Sequence, residues 1–319
     1  MADARSIPLS ALELAAAMRA AEPYDVSRLD RVLRVDESHG LIEVQASTPW
    51  KVIAACLRPG DARAASTPTT MMTVGESLEH NAAGPDGRAA VMHVESIAVV
   101  TLSGELRRAS RNAHRELFAL VAGGLGLFGA LYSVTLDIGS LSLAVSNAAQ
   151  PELLGVKGQA LRLLLPPEKL DAFLADARAR CAEWRMPLAG AEVRRTLPEN
   201  DSFLRWARRD YAAVSLHLAA PCVLGSAVRA TQLRRSLIDA AIAHGGSFAL
   251  SCTLDATRAQ AEACYPQLVH FLAEKRRMDP CERVVNAWYR HYQRLFSGQT
   301  CAVRWTTQVP TQVTTQVTS

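Results

Sequence analysis

The sequence predicts an α+β protein of two domains. The chain has 319 residues, 49% of them hydrophobic, which is enough for two buried cores. Up to residue 145, segments of helical periodicity are mixed with segments in which polar and apolar residues alternate as in strands. From residue 146 the strand-type and helix-type segments are segregated, as in an α+β domain, and helices dominate the end of the chain.

The first elements are a helix and a β-hairpin. A capping-box pattern, Ser10 with Glu13, begins a helix that extends to about residue 21. Two strands are predicted over 26–36 and 41–46, and a short helix follows at a Thr-Pro pair. The other elements predicted for the first half are a proline- and glycine-rich loop over 58–70, a polar loop over 73–84, a strand from Val94, a turn at 103–104 with a return strand, a helix over 113–121 and a strand over 131–138.

The second half is predicted to contain three strands and several long helices. Its elements are a strand over 159–165, a helix beginning at 166–167, strands near 189–195 and over 212–218, a helix over 226–243 and helices between 256 and 296. The stretch around Cys252 alternates like a half-buried strand. Residues 306–319 repeat Thr-Gln-Val without apolar periodicity, which predicts a mobile tail.

Composition argues against several classes of function. The formal charge of +4 and the 21% of charged residues do not indicate a nucleic-acid binder. No apolar run approaches the roughly 18 residues of a membrane helix and no secretory pattern is visible, so the sequence predicts a cytoplasmic protein without a membrane span. The seven cysteines are dispersed and no paired-histidine spacing occurs, so neither a disulfide framework nor a metal site is expected.

The glycine cluster is the most informative part of the chain. Gly123, Gly124, Gly126 and Gly129 lie between a predicted helix and a predicted strand. A backbone without side chains turns tightly, so this segment either approaches a flat or phosphorylated ligand or simply connects the helix to the strand. The dinucleotide-binding fingerprint has the order strand, glycines, helix, so a Rossmann unit is not expected.

The order of several segments resembles the FAD-linked oxidases of the vanillyl-alcohol oxidase and p-cresol methylhydroxylase (PCMH) type. These segments are the Thr-Val-Gly-Glu stretch at 73–76 with Asn81 and Gly84, Glu-Leu-Phe at 116–118, the glycine cluster, Tyr-Pro at 265–266 and Asn-Ala-Trp-Tyr at 286–289. The resemblance spans most of residues 10–296. It implies a PCMH-type FAD-binding domain with a truncated N-terminal subdomain over 1–145, an α+β cap domain over 146–279, a return to the first domain over 280–297 and a flexible tail over 298–319.

The resemblance also implies a site. The residues expected to line non-covalently bound FAD are Thr73, Gly75, Ser77, Asn81, Gly84, Gly123, Gly124, Gly126, Gly129 and Leu131. The residues expected to act near the substrate are His80, Cys252 and Tyr289. From residue type alone, a solvated histidine, an unreactive buried cysteine and a core tyrosine are the ordinary alternatives at these three positions.

One part of the family pattern is missing. Members carry a glycine- and serine-rich arch after the first helix, and its N–H groups hold the FAD pyrophosphate. Here only residues 22–25 separate the predicted helix from the next strand, too few for such an arch. Losing three or four hydrogen bonds to a charged group costs about 5–10 kcal/mol, or roughly four to seven powers of ten in affinity. Gly75 is also followed by Glu76 instead of a second glycine, which puts a carboxylate beside the expected cofactor path.

Two hypotheses of different class follow from these observations. The first is an FAD-dependent oxidoreductase that removes a hydride from an alcohol- or amine-bearing carbon of a small-molecule substrate. The second is a pseudoenzyme that serves as a binding or scaffolding subunit, with its cofactor cleft empty, refilled by another ligand or completed by a partner chain. The second hypothesis predicts an exposed apolar surface where the arch would pack, and a protein partner that covers it.

Overall fold

Two large antiparallel β-sheets, each packed against helices, and one two-stranded pair form the described part of the molecule. A computed structural model describes residues 5–56, 72–84, 86–144, 160–218, 226–297 and 316–317. The helices are α1 (Ala11–Ala20), α2 (Trp50–Cys56), α3 (Val74–Glu79), α4 (Arg115–Val121), α5 (Ile138–Ala144), α6 (Leu170–Glu183), α7 (Ser226–Ala243), α8 (Arg258–Cys264), α9 (Leu268–Met278) and α10 (Ala287–Ser297). The strands are β1 (Val32–Asp36), β2 (Leu41–Gln45), β3 (Val94–Val100), β4 (Leu106–Ser110), β5 (Ala130–Asp137), β6 (Leu161–Leu165), β7 (Leu188–Thr196), β8 (Tyr211–Leu218), β9 (Ser247–Phe248), β10 (Val284–Val285) and β11 (Gln316–Val317).

The first sheet has the strand order β1-β2-β5-β3-β4, and every neighbouring pair is antiparallel. α1 begins where the capping residue predicts, since Ser10 Oγ accepts a hydrogen bond from the Glu13 N–H at 3.3 Å. Its apolar residues Leu14 and Met18 pack against Val100 on one face of the sheet. α3 contacts the central strand β5 as well, and most residues of β5 are buried.

The second sheet has the antiparallel order β7-β8-β6-β9. Leu163 of β6 and Val214 of β8 are register partners, and they are buried in one apolar cluster with Leu233 and Leu237 of α7. Alternate residues of the same strands, Arg162 among them, therefore lie on the opposite face. Buried residues of both sheets belong to one continuous core.

The structure confirms most of the predicted elements and corrects three of them. The first strand begins at Val32 instead of residue 26. The segment predicted as a polar loop over 73–84 contains helix α3, because Thr73 and Glu76 form a capping box. The strand predicted around Cys252 ends at Phe248 and is followed by a short 3-10 turn.

Several sequence predictions concern residues that the structure does not describe. The loop over 58–70 and the start of the predicted second domain near residue 146 lie outside the described residues. Most of the predicted tail over 298–319 lies outside them too, although the short strand β11 pairs with β10. The predicted domain division therefore stays a prediction.

Candidate functional site

Two cavities adjoin the end of α3 and the glycine cluster. The first, which we call the inter-sheet cavity, has a volume of about 100 Å³ and lies between the glycine cluster and the second sheet. Its lining includes His80, Asn81, Gly123, Arg162, Ser215, Cys252 and Trp288. The second, which we call the loop cavity, has a volume of about 340 Å³ and lies between the residues after α1 and the glycine cluster. Its lining includes Arg5, Asp25, Thr73, Gly75, Glu76, Glu79, Gly126, Gly129 and Leu131.

Strand geometry places the polar side chains of the inter-sheet cavity. Arg162 of β6 is the register partner of Ser215 of β8, so both project from the same face of the sheet. His80 arrives from the other side as the C-cap of α3. Cys252 ends the 3-10 turn that follows β9. The structure thus brings two of the three predicted substrate-side residues, His80 and Cys252, to one cavity.

The inter-sheet cavity carries a single positive charge near neutral pH. Burial lowers the pKa of His80; Glu76 opposes this shift and Arg162 adds to it. His80 is therefore neutral at pH 7, and Arg162 is the charged side chain among the described residues of the lining. Cys252 is exposed, in contrast to the buried cysteine that its sequence context suggests, and its sulfur lies 3.8 Å from Arg162 Nη1.

Tyr289 does not line either cavity. It is fully buried, and its hydroxyl donates a hydrogen bond to Glu282 Oε1 at 3.0 Å. The preceding residue, Trp288, faces the inter-sheet cavity instead and donates from Nε1 to the Leu250 carbonyl at 2.9 Å. Successive residues of a helix point about 100° apart, so α10 presents only one of these two rings to the cavity. The structure therefore does not bring Tyr289 to the cavity that His80 and Cys252 line.

The residues expected to line FAD separate into three groups. Thr73, Gly75, Gly126, Gly129 and Leu131 line the loop cavity. Asn81 and Gly123 line the inter-sheet cavity. The other three, Ser77, Gly84 and Gly124, line neither cavity.

The polar groups at the beginning of α3 form hydrogen bonds within the protein. Thr73 Oγ1 accepts from the Glu76 N–H at 3.2 Å, and Glu76 Oε2 accepts from the Thr73 N–H at 2.9 Å. The Gly75 N–H donates to the Ala46 carbonyl at 2.7 Å, and a Cβ on Gly75 would lie only 2.8 Å from that oxygen. Ser77 Oγ accepts from Trp50 Nε1 at 2.9 Å. The segment that resembles a flavin loop therefore has structural partners for these polar groups.

Two of the glycines in the cluster are required by packing. A Cβ on Gly124 would lie 1.9 Å from the Leu120 carbonyl oxygen. Gly129 has a φ of 140°, and its Cβ would lie 2.5 Å from the Val100 carbonyl oxygen. The tight connection between helix and strand thus explains both positions.

Backbone hydrogen bonds join the glycine cluster to the end of α3, and Asn81 and Gly84 have partners of their own. The N–H groups of Gly123 and Leu125 donate to the carbonyls of Leu78 and Glu79, at 2.9 and 3.0 Å. Asn81 has a positive φ of 45°; its Oδ1 accepts from the Val91 N–H at 3.1 Å. The Gly84 N–H donates to the Arg88 carbonyl at 2.7 Å.

Sequence reasoning missed Glu79. This half-buried carboxyl group lines the loop cavity, 3.6 Å from the position that a Cβ on Gly126 would take. Burial, with a smaller contribution from Glu76, raises the pKa of Glu79 to about 7. A glutamate before a histidine in a polar stretch gives no signal of burial, so its place was not predictable without the fold.

Lys275 was missed as well. It is fully buried on α9, and its Nζ donates to Asp279 Oδ2 at 2.5 Å and to the Leu127 carbonyl at 2.9 Å. Asp279 in turn accepts from the N–H groups of Arg283 and Val284, both at 2.9 Å. The pair therefore ties the glycine cluster to the C-terminal helices. The Lys–Asp spacing of four residues on a helix was a readable signal, although it indicates burial only in context.

The loop cavity does not fit the diphosphate of FAD. Among the described residues of its lining, Asp25 and Glu76 are carboxylates, Glu79 is a carboxyl group whose pKa is raised to about 7, and Arg5 is a cation. The backbone donors at the start of α3 are satisfied within the protein, and the Ser27 N–H donates to Asp25 Oδ1 at 2.9 Å. A phosphate group entering here would meet like charges and donors that are already engaged.

The described residues were considered for a membrane-spanning helix and for a metal-binding cluster. In these residues no helix combines the length and hydropathy needed to cross a membrane. Nor does the described part of the chain contain a group of three or more His, Cys, Asp or Glu side chains placed to hold a metal ion.

Comparison with known proteins gives one partial relationship. No family model matches the chain. Over 107 residues it is 33% identical to a protein of Rhodococcoides fascians named "Uncharacterized oxidoreductase ORF5 in fasciation locus". The match covers 32% of this chain and 24% of that protein, so the chain spans about a quarter of the relative's length. The chain is thus similar in part to a protein named an oxidoreductase.

Proposed function

We propose that the chain is a ligand-binding subunit related to the FAD-linked oxidases. It takes a small organic molecule in the inter-sheet cavity and does not hold FAD through its own residues. The observation that carries this proposal is the lining of the loop cavity, where the carboxyl groups of Asp25, Glu76 and Glu79 lie near the glycine cluster and the backbone donors at the start of α3 are bonded within the protein.

The charge arrangement opposes a diphosphate and so favours the hypothesis of a ligand-binding subunit. A carboxylate about 4 Å from a phosphate repels it by roughly 4 kcal/mol at an effective dielectric constant of 20. This repulsion adds to the missing arch, whose hydrogen bonds would contribute about 5–10 kcal/mol. Arg5 is a single opposing charge.

The inter-sheet cavity has the properties of a small-ligand site. Leu125, Leu164, Leu250 and Trp288 supply apolar walls, and a few polar groups converge from β6, β8 and α3. Such a combination of apolar walls and few directed polar groups is typical of ligand pockets.

The proposal includes a protein partner near α1. Ile7, Leu9 and Leu12 are exposed apolar side chains, and Leu12 is 81% accessible. They precede or begin α1, and Arg5, just before them in the chain, lines the loop cavity. Light scattering of the purified protein and of the Leu12→Glu variant tests this part: association that the variant abolishes supports it, and a monomeric wild type contradicts it.

The absorbance spectrum of purified protein between about 300 and 550 nm tests the proposal, recorded after incubation with excess FAD and removal of unbound flavin. We expect no retained flavin bands, because the donors for the diphosphate are absent. The Glu76→Gln/Glu79→Gln variant is the matched comparison, and we expect any retention to increase there. Stoichiometric flavin bands in the wild type would contradict the proposal.

A second candidate is an active oxidoreductase with non-covalent FAD, acting on an alcohol- or amine-bearing substrate. It is favoured by the name of the Rhodococcoides fascians relative and by the convergence of His80 and Cys252 on one cavity. Reduction of an artificial dye by the flavin-loaded protein, with a panel of alcohols and amines, tests this candidate. No dye reduction with any of them would rule it out for these substrate classes.

A further inference from the structure

Arg162 differs from the other arginines of the second sheet. Arg194 and Arg195 of β7 form ion pairs, with Glu192 at 3.9 Å and with Asp210 at 2.9 Å. Arg162 lines the inter-sheet cavity, and among the described residues of that lining no aspartate or glutamate is present. Arg162 makes a weak contact from Nη1 to Cys252 Sγ at 3.8 Å.

The surroundings of Arg162 favour an anion of limited size. A guanidinium group presents donors in a planar fork that matches a carboxylate, and Arg162 is an exposed residue of the cavity lining, so its donors are accessible to a ligand. Ser215, the register partner of Arg162, adds a hydroxyl on the same face. Leu250 and Trp288 offer apolar surface in the same cavity. One end of the ligand is therefore defined as anionic and the other as hydrocarbon.

We propose that the inter-sheet cavity binds a small organic acid, with its carboxylate on Arg162 and its hydrocarbon part against Leu250 and Trp288. This inference rests on the proposed function, which makes this cavity the ligand site. The volume of about 100 Å³ is smaller than the roughly 150 Å³ of a cavity that accommodates benzene, so the cavity encloses only part of a ring or a short chain. The exposed position of Cys252 leaves the cavity open for a larger ligand to extend outward.

Isothermal titration of the wild-type protein with benzoate, and separately with the neutral isostere benzamide, tests the inference. We expect benzoate to bind more tightly than benzamide. Arg162→Gln should weaken benzoate binding roughly 10- to 100-fold, the loss that corresponds to a charge-assisted hydrogen bond, and leave benzamide nearly unchanged. Arg195→Gln is the matched control, because Arg195 lies on the same sheet, paired with Asp210 and outside the cavity. It should bind benzoate like the wild type.

A variant that fills the cavity provides an independent measurement. Ala213 lines the inter-sheet cavity from β8, and Ala213→Leu should abolish benzoate binding while circular dichroism shows the folded protein. Equal affinity for benzoate and benzamide, unchanged benzoate binding by Arg162→Gln, or no benzoate binding up to about 10 mM by folded wild type would overturn the inference. The flavin spectrum is measured separately, so retained FAD contradicts the proposed function, whereas loss of benzoate selectivity alone contradicts only the assignment of Arg162.

Discussion

The two cavities beside the glycine cluster have opposite electrostatic characters. The inter-sheet cavity presents Arg162 with neutral and apolar neighbours, whereas the loop cavity presents Asp25, Glu76 and Glu79 with Arg5. Beside the loop cavity, the backbone donors at the start of α3 are already bonded within the protein. A segment that resembles a cofactor cradle can thus serve the fold, while the cavity that we propose as the ligand site lies next to it.

The largest expected effect concerns the anchor of the glycine cluster. Lys275→Met leaves the buried carboxylate of Asp279 without its cation and the Leu127 carbonyl without its donor. We expect a loss of about 3–5 kcal/mol in the free energy of unfolding, measured by urea denaturation. Arg277→Met, on the same helix but 62% exposed, is the control. Equal stability of the two variants would remove the structural role that we assign to this anchor.

Two alanine substitutions distinguish packing from ligand approach within the cluster. Gly124→Ala places a Cβ 1.9 Å from the Leu120 carbonyl, so we expect a loss of about 3 kcal/mol. Gly126→Ala has open space up to the Glu79 carboxyl at 3.6 Å, so its cost should be only about 1 kcal/mol, from the positive φ of 73°. Urea denaturation of both variants measures the difference. A reversed order would show that the cluster is not built for packing.

A pH-dependent prediction sharpens the description of the loop cavity. Because burial raises the pKa of Glu79 from 4.5 to about 7, the folded protein favours the protonated form. This group therefore has no effect on stability below pH 4.5, and its destabilisation grows as pH rises toward 7 and is complete above it. Glu79→Gln should match the wild type at pH 4 and exceed its free energy of unfolding by about 3 kcal/mol at pH 8.

The control for this prediction is Glu105→Gln, at an exposed glutamate of the first sheet's β3–β4 turn, 59% accessible. Its effect should be the same at both pH values. If Glu79→Gln gave a pH-independent change, the carboxyl group would not be buried beside Gly126 and the acidic character of the loop cavity would be in doubt.

The smallest effect concerns the start of α3. Thr73→Ala removes the side chain that accepts from the Glu76 N–H, and we expect a loss of about 1 kcal/mol by thermal denaturation. Thr73→Ser keeps the hydroxyl and should restore most of it. If both variants equalled the wild type in stability, the capping role would be wrong and a ligand-binding role for Thr73 would regain weight.

Local patterns predicted the elements well, because their determinants are local. The Ser10 cap, the 103–104 turn and the helix over 226–243 each depend on neighbouring residues, and the structure has them. The segment at 73–84 was misread because polar residues in a capping box look like a loop until Glu76 is recognised as the third residue of a helix.

The site was predictable only in part, because it depends on contacts between distant segments. His80 and Cys252 were found through a resemblance, and the structure places both at the inter-sheet cavity. Arg162 had no sequence signal, since an arginine alternating with leucines in a strand normally faces solvent. Tyr289 does not line this cavity, because the directions in which Tyr289 and its neighbour Trp288 point depend on how α10 packs.

Equilibrium dialysis of the wild-type protein against FAD tests whether the chain holds FAD through its own residues, because it reports binding without assuming activity. With protein and FAD each near 20 µM, we expect nearly the same total flavin concentration on the protein side as on the buffer side. This result corresponds to a dissociation constant weaker than about 100 µM. Accumulation of about one FAD per chain on the protein side would contradict it, and the loop cavity would then have to be reassigned as a cofactor site.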